Sequence, residues 1–219
     1  MGVKVGQPHP ARPRNARESR RAILSAAEAI FARAGLAGAR TDAIADAAGV
    51  NKALIYYYFK SKQRLYEAVV EDHFKAFNDK ALAILTADGS PRELLLEYVS
   101  MHFDFISQRH RHAALHQQIM AEGGKLLKRL VPKYFLPRGK ALGALLERGV
   151  KEGQFRNVDR FHTAASIVGL IVFYFSAAPV LELLGHTDAY SPANLRRRKQ
   201  EVLDFIRFGL FSDREGNHP

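Results

Sequence analysis

The sequence predicts an all-α protein, with a small unit of three helices ahead of a larger helical domain. Three observations carry that reading. Apolar residues recur at spacings of three and four along most of the chain, which is the period of a helix face. Glycine, proline and small polar residues stand at the breaks, where helices start and stop. No pair of alternating apolar–polar runs is joined by hairpin residues, so strands are not expected.

Composition narrows the partners. Of 219 residues, 47% are hydrophobic and 25% charged, the balance of a soluble globular protein. Lys and Arg number 33 against 22 acidic residues, a net charge of +11, so the summed field attracts polyanions such as nucleic acid or anionic lipid. Cysteine is absent, which removes disulfide scaffolds, thiolate metal sites and cysteine nucleophiles and fits a cytoplasmic location. The start, MGVKVGQPHPARPRN, has no apolar core and carries Gly6 where a myristoylation signal wants Ser or Thr, so neither a secretory leader nor a lipid anchor is expected. Residues 163–181 are uncharged and approach the roughly 20 residues of a membrane span. Thr163, Ser166, Gly169, Ser176 and Pro179 thin their apolar character, so they are read as a buried helix or subunit interface, and no membrane partner is expected.

The elements follow in order. Residues 1–16 are Pro- and Arg-rich without periodicity and read as a disordered basic arm. From Arg17 a helix sets Ile23, Ala27, Ile30, Phe31 and Ala34 on one face, and Gly35 supplies a left-handed stop. Thr41 reads as the N-cap of a second, short helix, with Asp42 in its first turn and Ile44, Ala45 and Ala48 on its apolar face. Gly49 ends it, and Asn51 caps a third helix, Lys52 to Phe59. Spacing turns Val50, Ile55 and Phe59 inward and leaves Lys52, Ala53, Tyr56, Tyr57 and Lys60 outward. Ser61 caps a long helix whose stripe runs through Leu65, Val69, Phe74 or Phe77, and Leu82. After the Ala87–Pro91 break, helices are expected over 91–108, 111–122, 125–153 with Pro132 and Pro137 as interruptions, 159–177 and 191–211.

Two short helices hinged on Gly49 behind a longer one make a helix-turn-helix unit, in which the last helix enters the major groove. Charge agrees mildly: residues 1–60 hold 10 Lys/Arg and 4 Asp/Glu, a net +6, against +5 for the remainder. The spelling is more specific. TDAIADAAGVNKALIYYYFKSKQRLYEAV, with Thr41, Ala48-Gly49-Val50, Asn51, Ile55 to Phe59, Ser61-Lys62 and Leu65 at its marked positions, resembles the DNA-binding domain of the TetR/AcrR family of transcriptional regulators. The likeness covers about 50 residues, in the manner of a compact helix-turn-helix module; the rest of the chain fits by length and helicity.

The resemblance implies a domain order of 1–16 arm, 17–62 DNA-binding domain and 63–219 effector-binding and dimerisation domain. It implies that Thr41 and Tyr56 hold the DNA backbone and that Lys62 does likewise. The residues themselves add reasons. Lys52, Lys60 and Lys62 can neutralise phosphates by releasing counterions, Ala53 is small enough to meet a thymine methyl, and Tyr56 and Tyr57 can lie along sugar or base edges. Tyr58 is the ambiguous member of the tyrosine run. Arg40 and Asn51 complete the candidate DNA-binding set. The competing reading packs the tyrosines against the larger domain and leaves the lysines as a solvated rim.

In that family the C-terminal helices bind a small effector and form a homodimer, and residues 159–211, apolar on more than one face, fit the dimer role. A two-fold dimer implies a palindromic operator, with recognition helices roughly 34–36 Å apart. Candidate effector contacts are residues on apolar stripes that include a polar group: Tyr98, His102, Phe105, Ile106, His116, Met120, Phe135, Phe173 and Tyr174. Ordinary core packing is the alternative for each. His112 and His116 stand one helical turn apart, a spacing able to grip zinc or nickel, but no Glu stands in the HExxH position, no Cys is near and flanking arginines repel a cation, so a metal is not expected. No cofactor is expected, and no catalytic motif is recognisable. The leading expectation is a homodimeric repressor released from its operator by a small organic effector. A helical enzyme using His102, His112 and His116, and a nonspecific nucleoid-associated protein, are the alternatives.

Overall fold

The computed structural model describes residues 15–108, 124–185 and 188–212. Among these the chain is helical, with one isolated antiparallel bridge, Phe155 to Phe211, in place of any strand. The basic arm expected over 1–16 and the helix expected over 111–122, with His112, His116 and Met120, lie largely or wholly outside the described residues.

Helix α1, Ala16–Gly38, starts one residue before the expected Arg17, because Asn15 builds a capping box. The Asn15 side chain accepts from the Glu18 amide at 2.9 Å, and the Glu18 carboxylate accepts from the Asn15 amide at 3.2 Å, so two otherwise orphaned donors are satisfied. Gly35, at φ 64°, kinks α1 rather than ending it, and the chain makes one more turn to Gly38. Helix α2, Thr41–Ala48, is capped by Arg40, whose side chain makes no capping bond. Thr41 is therefore the first residue inside the helix and not its N-cap, which leaves its hydroxyl available elsewhere. Gly49, at φ 63° and ψ 43°, takes the left-handed conformation that makes the sharp turn into α3, Lys52–Phe59.

Helix α4, Lys62–Leu85, begins at Ser61, whose hydroxyl accepts from the Arg64 amide at 3.1 Å. It belongs to both halves of the molecule. Leu65, Tyr66, Val69, Val70 and Phe74 pack into a core with Ile23, Ile44, Ile55 and Phe59 from α1, α2 and α3, whereas Phe77, Ala81 and Leu85 join a second core built by the later helices. The buried stripe runs through Ala81 and Leu85, with Leu82 only partly buried.

The larger unit continues with α5, Pro91–Ser107, then α6, Gly124–Leu130, and α7, Leu136–Lys151. Pro132 and Pro137 were expected to interrupt this stretch. The α-helix is interrupted there: a π-helical turn, Val131–Phe135, joins α6 to α7, with Pro132 in its first turn and the Leu136 amide reaching back to the Val131 carbonyl. Pro137 sits in the first turn of α7. Neither proline has an amide to give to the preceding turn, and the wider π turn between two α-helical stretches takes up the missing bonds while the backbone stays helical. Helix α8, Arg160–Ser176, is capped by Asp159. A separate short helix α9, Ala178–Leu183, follows in a stretch to which the sequence reading assigns no element. Helix α10, Pro192–Leu210, closes the fold. Its end is tied down where the Phe155 and Phe211 rings stack at 5.4 Å, and a methyl on Gly149 would overlap the Phe155 ring.

Candidate DNA-binding surface and effector cavity

The face of α3 is sorted by its own periodicity. Ile55 and Phe59 are buried, Leu54 and Tyr58 are half-buried against the first core, and Asn51, Lys52, Ala53, Tyr56, Tyr57 and Lys60 are exposed. The three tyrosines therefore do not form one patch. Tyr57 is 68% exposed and Tyr56 43%, while Tyr58 stands edge-on between Tyr57 at 5.1 Å and Phe59 at 6.3 Å. Successive residues turn about 100° on a helix, which is why the run splits between solvent and seam.

Two side-chain bonds clamp α2 to α3. The hydroxyls of Thr41 and Tyr56 share a hydrogen bond of 3.4 Å, and Lys52 pairs with Asp42 at 2.8 Å. The Lys52 bond holds the Asp42 carboxyl below the usual carboxylate range and raises the Lys52 ammonium in turn. Asn51 spends its carbonyl on the Ala53 amide at 2.8 Å, fixing the start of α3. Lys60 holds φ 65°, a conformation rare outside glycine, at the end of α3. Its ammonium folds back onto the Tyr57 carbonyl at 3.1 Å. Lys62, the third lysine expected at phosphate, donates to the carbonyls of Ala37 at 3.3 Å and Ala39 at 3.0 Å. A cation there satisfies the orphan carbonyls past the end of α1 and locks α4 to the three-helix unit. Arg40 is exposed at the entrance to α2.

A cavity of about 1160 Å³ opens in the larger unit, walled by α4, α5, α7 and α8 and by the turn before α7. Of the expected effector contacts, Tyr98, His102, Phe105, Ile106, Phe135 and Phe173 line it. Tyr174 does not. One residue farther round α8, its hydroxyl donates to the Ala189 carbonyl at 2.7 Å, and the Arg198 guanidinium lies over its ring at 5.5 Å. His102 is buried and packs its ring 4.5 Å from Phe77 and 5.6 Å from Tyr98. His73, Phe74 and Phe77 of α4 also line the cavity, as do Arg138 of α7 and the small-residue face of α8 with Ala164, Ala165 and Gly169. Arg138 was legible in principle: it lies three residues after Phe135 and four before Leu142, on the apolar stripe of α7.

The family model described as bacterial regulatory proteins, tetR family, matches residues 23–69, and that described as tetracyclin repressor-like, C-terminal domain, matches residues 91–206. The chain belongs to the tetR family. It is a DNA-binding transcriptional regulator, and the enzyme reading falls with that assignment. Among curated relatives, the regulator is 30% identical over 175 residues to the transcriptional repressor NicS of Pseudomonas putida, covering 75% of this chain and 79% of that one. It is 30% identical over 174 residues to the transcriptional regulator RutR of Escherichia coli, covering 78% and 80%. Solved structures share the fold: the ketosteroid transcriptional regulator KstR2 of Mycobacterium tuberculosis superposes with a TM-score of 0.71 at 21% identity, covering 93% of this chain and 99% of that one. FadR of Bacillus subtilis, in complex with stearoyl-CoA, does so with 0.68 at 20% identity, covering 85% and 96%. Among the described residues of the regulator, no three His, Cys, Asp or Glu side chains gather as a metal site, and no helix is long and apolar enough to cross a membrane.

Proposed function

We propose that the regulator is a cytoplasmic homodimeric repressor that leaves a palindromic operator when a small organic molecule fills the cavity of its larger unit. The observation that carries this reading is the double membership of α4. Its residues His73, Phe74 and Phe77 line the cavity, and its first residue, Lys62, is bonded to the carbonyls at the end of α1. A ligand that displaces α4 therefore moves the three-helix unit with it. Release requires that the ligand bind the conformation with misplaced recognition helices better than the DNA-competent one.

Dimerisation is supported by the apolar side chains left on the outside of the C-terminal helices: Val180, Leu183 and Leu184 on and after α9, and Phe205 and Phe208 on α10. Patches of this kind mark protein interfaces, and a two-fold pairing would present two recognition helices to successive major grooves. Structural neighbours show that the fold houses unlike ligands, stearoyl-CoA in FadR and choline in a regulator from Saccharomonospora viridis, so kinship alone does not choose one here.

Selection of bound duplexes from a random pool at physiological salt tests the reading. The expected product is a two-fold symmetric site bound at least about a thousandfold more tightly than random DNA. Equal affinity for both overturns it in favour of nonspecific binding.

A further inference from the structure

One charge in the cavity has no counterpart among the described residues. Arg138 is 9% exposed, and no other Arg, Lys, Asp or Glu among the described residues is buried to that degree. Its Nη1 has no hydrogen-bond partner there. The guanidinium is held between two rings, with Cζ 4.8 Å from the centroid of Phe77 and 5.1 Å from that of Phe135. Ring faces orient a cation, but their attraction is weaker than the desolvation penalty of a buried ion. That penalty pulls the Arg138 pKa below the usual arginine value, yet arginine stays charged in proteins. Tyr98, fully buried beside it, has a hydroxyl that also lacks a partner, and the two groups interact electrostatically.

Besides Arg138, Tyr98 and the imidazoles of His73 and His102, the deep walls described are apolar, and the open end is charged. Phe77, Phe105 and Leu142 are buried walls, whereas Lys140, Glu147 and Arg160 are exposed lining residues, the last two paired at 2.9 Å. A neutral ligand would leave the Arg138 charge uncompensated, and a cation would be repelled. A polyphosphate headgroup would bring more negative charge than one buried guanidinium can balance.

We infer that the cavity takes an amphipathic organic monocarboxylate, its carboxylate accepting from the Arg138 guanidinium and the Tyr98 hydroxyl and its apolar body lying along Phe77, Phe105 and α8. This rests on the ligand-responsive reading above. Arginine offers a planar fork that matches both carboxylate oxygens. The volume of about 1160 Å³ exceeds the roughly 300–1,000 Å³ of common small-molecule sites, so the body is bulky or long. Gly139 and Gly169 border open space, where an added methyl would meet nothing within 4 Å.

Calorimetric titration of the full chain tests this with dodecanoate for a chain-like body, pyrenecarboxylate for a ring-like one, and dodecan-1-ol and dodecyltrimethylammonium as neutral and cationic controls. At least one carboxylate is expected to bind about tenfold or more tightly than both controls. Arg138→Met should abolish that preference without weakening dodecan-1-ol, and should raise the melting temperature of the ligand-free protein by removing an uncompensated buried charge. Arg138→Lys and Tyr98→Phe, gentler changes, should each lose several-fold in carboxylate affinity alone, and they carry the test if the methionine variant does not fold. Equal binding of alcohol and carboxylate, a preference for the ammonium, or undiminished carboxylate affinity in these variants overturns the inference. So does a regulator that selects its operator yet binds neither carboxylate, an outcome that leaves the repressor reading standing.

Discussion

His73 on α4 stands with Nδ1 3.6 Å from the Glu28 carboxylate on α1, while its ring packs edge-on against Phe105 at 5.3 Å. One side chain thus touches the cavity wall and the three-helix unit at once. Both side chains are largely shielded from solvent, so the contact joins the two units away from bulk water. Glu28→Gln is expected to leave ligand affinity unchanged and operator affinity within a few-fold. The ratio of operator Kd with and without saturating ligand should fall, by about 1 kcal/mol of the 1–3 kcal/mol typical of such couplings. An unchanged ratio would show that the signal bypasses this contact.

Asp42 and Lys52 set a second expectation. Lys52 is the exposed cation at the start of α3, and Asp42 competes with phosphate for it. Asp42→Asn should strengthen DNA binding at low salt and steepen the log–log salt dependence by about 0.9, the increment of one further phosphate contact. The pH dependence follows from the lowered Asp42 pKa. A depressed folded-state value means that the pair contributes above the ordinary carboxylate pKa and is lost as pH falls through the lowered one. Acidification across that window should therefore mimic the asparagine variant in salt dependence. Identical slopes for parent and variant would place Lys52 away from the backbone.

Tyr56 reaches across to Thr41 with its hydroxyl, and that hydroxyl is the group expected to meet a phosphate. Tyr56→Phe removes it while leaving the ring, so the thermal unfolding curve should barely move. Operator affinity should drop by about 1 kcal/mol, roughly fivefold, the usual worth of one hydrogen bond. Equal affinity of the two proteins in a mobility-shift titration would remove the phosphate role.

These residues also show where sequence reasoning reached and where it stopped. Local chemistry was legible: Gly49, Asn51 and Ser61 do in the fold what glycine and small polar residues do at helix ends, and helical period alone separated Tyr56 and Tyr57 from Ile55 and Phe59. Contacts between distant segments were not. Lys62 reads as a phosphate-binding lysine from its charge and the family resemblance; that its ammonium also bonds carbonyls 23 and 25 positions earlier is a pairing that no local pattern encodes. Pro132 and Pro137 were legible as a break in the α-helix, but that the break takes the form of a π turn, Val131–Phe135, which keeps the backbone helical, was not. Arg138 sits at a legible position on the apolar stripe of α7, but its type overrode the spacing, since arginine is rarely buried and is normally assigned to solvent.

Phe208 gives the most direct test of assembly. It is 87% exposed on α10, and Leu183 on α9 is 88% exposed, whereas Val202, Ile206 and Leu210 on the same helix as Phe208 face the core. Large apolar side chains in solvent on both helices are explained if this surface meets its two-fold copy, where every substitution enters twice. Phe208→Glu should therefore place two like charges in the interface and yield monomers in sedimentation velocity at micromolar concentration. Its own fold should survive, because the side chain contributes little to the core; circular dichroism should match the parent. Operator affinity should fall far more than tenfold, since each half-site must then be bound without the gain of a linked partner. A dimer that persists in both Phe208→Glu and Leu183→Glu, with unchanged operator affinity, would put the interface on another face of the molecule.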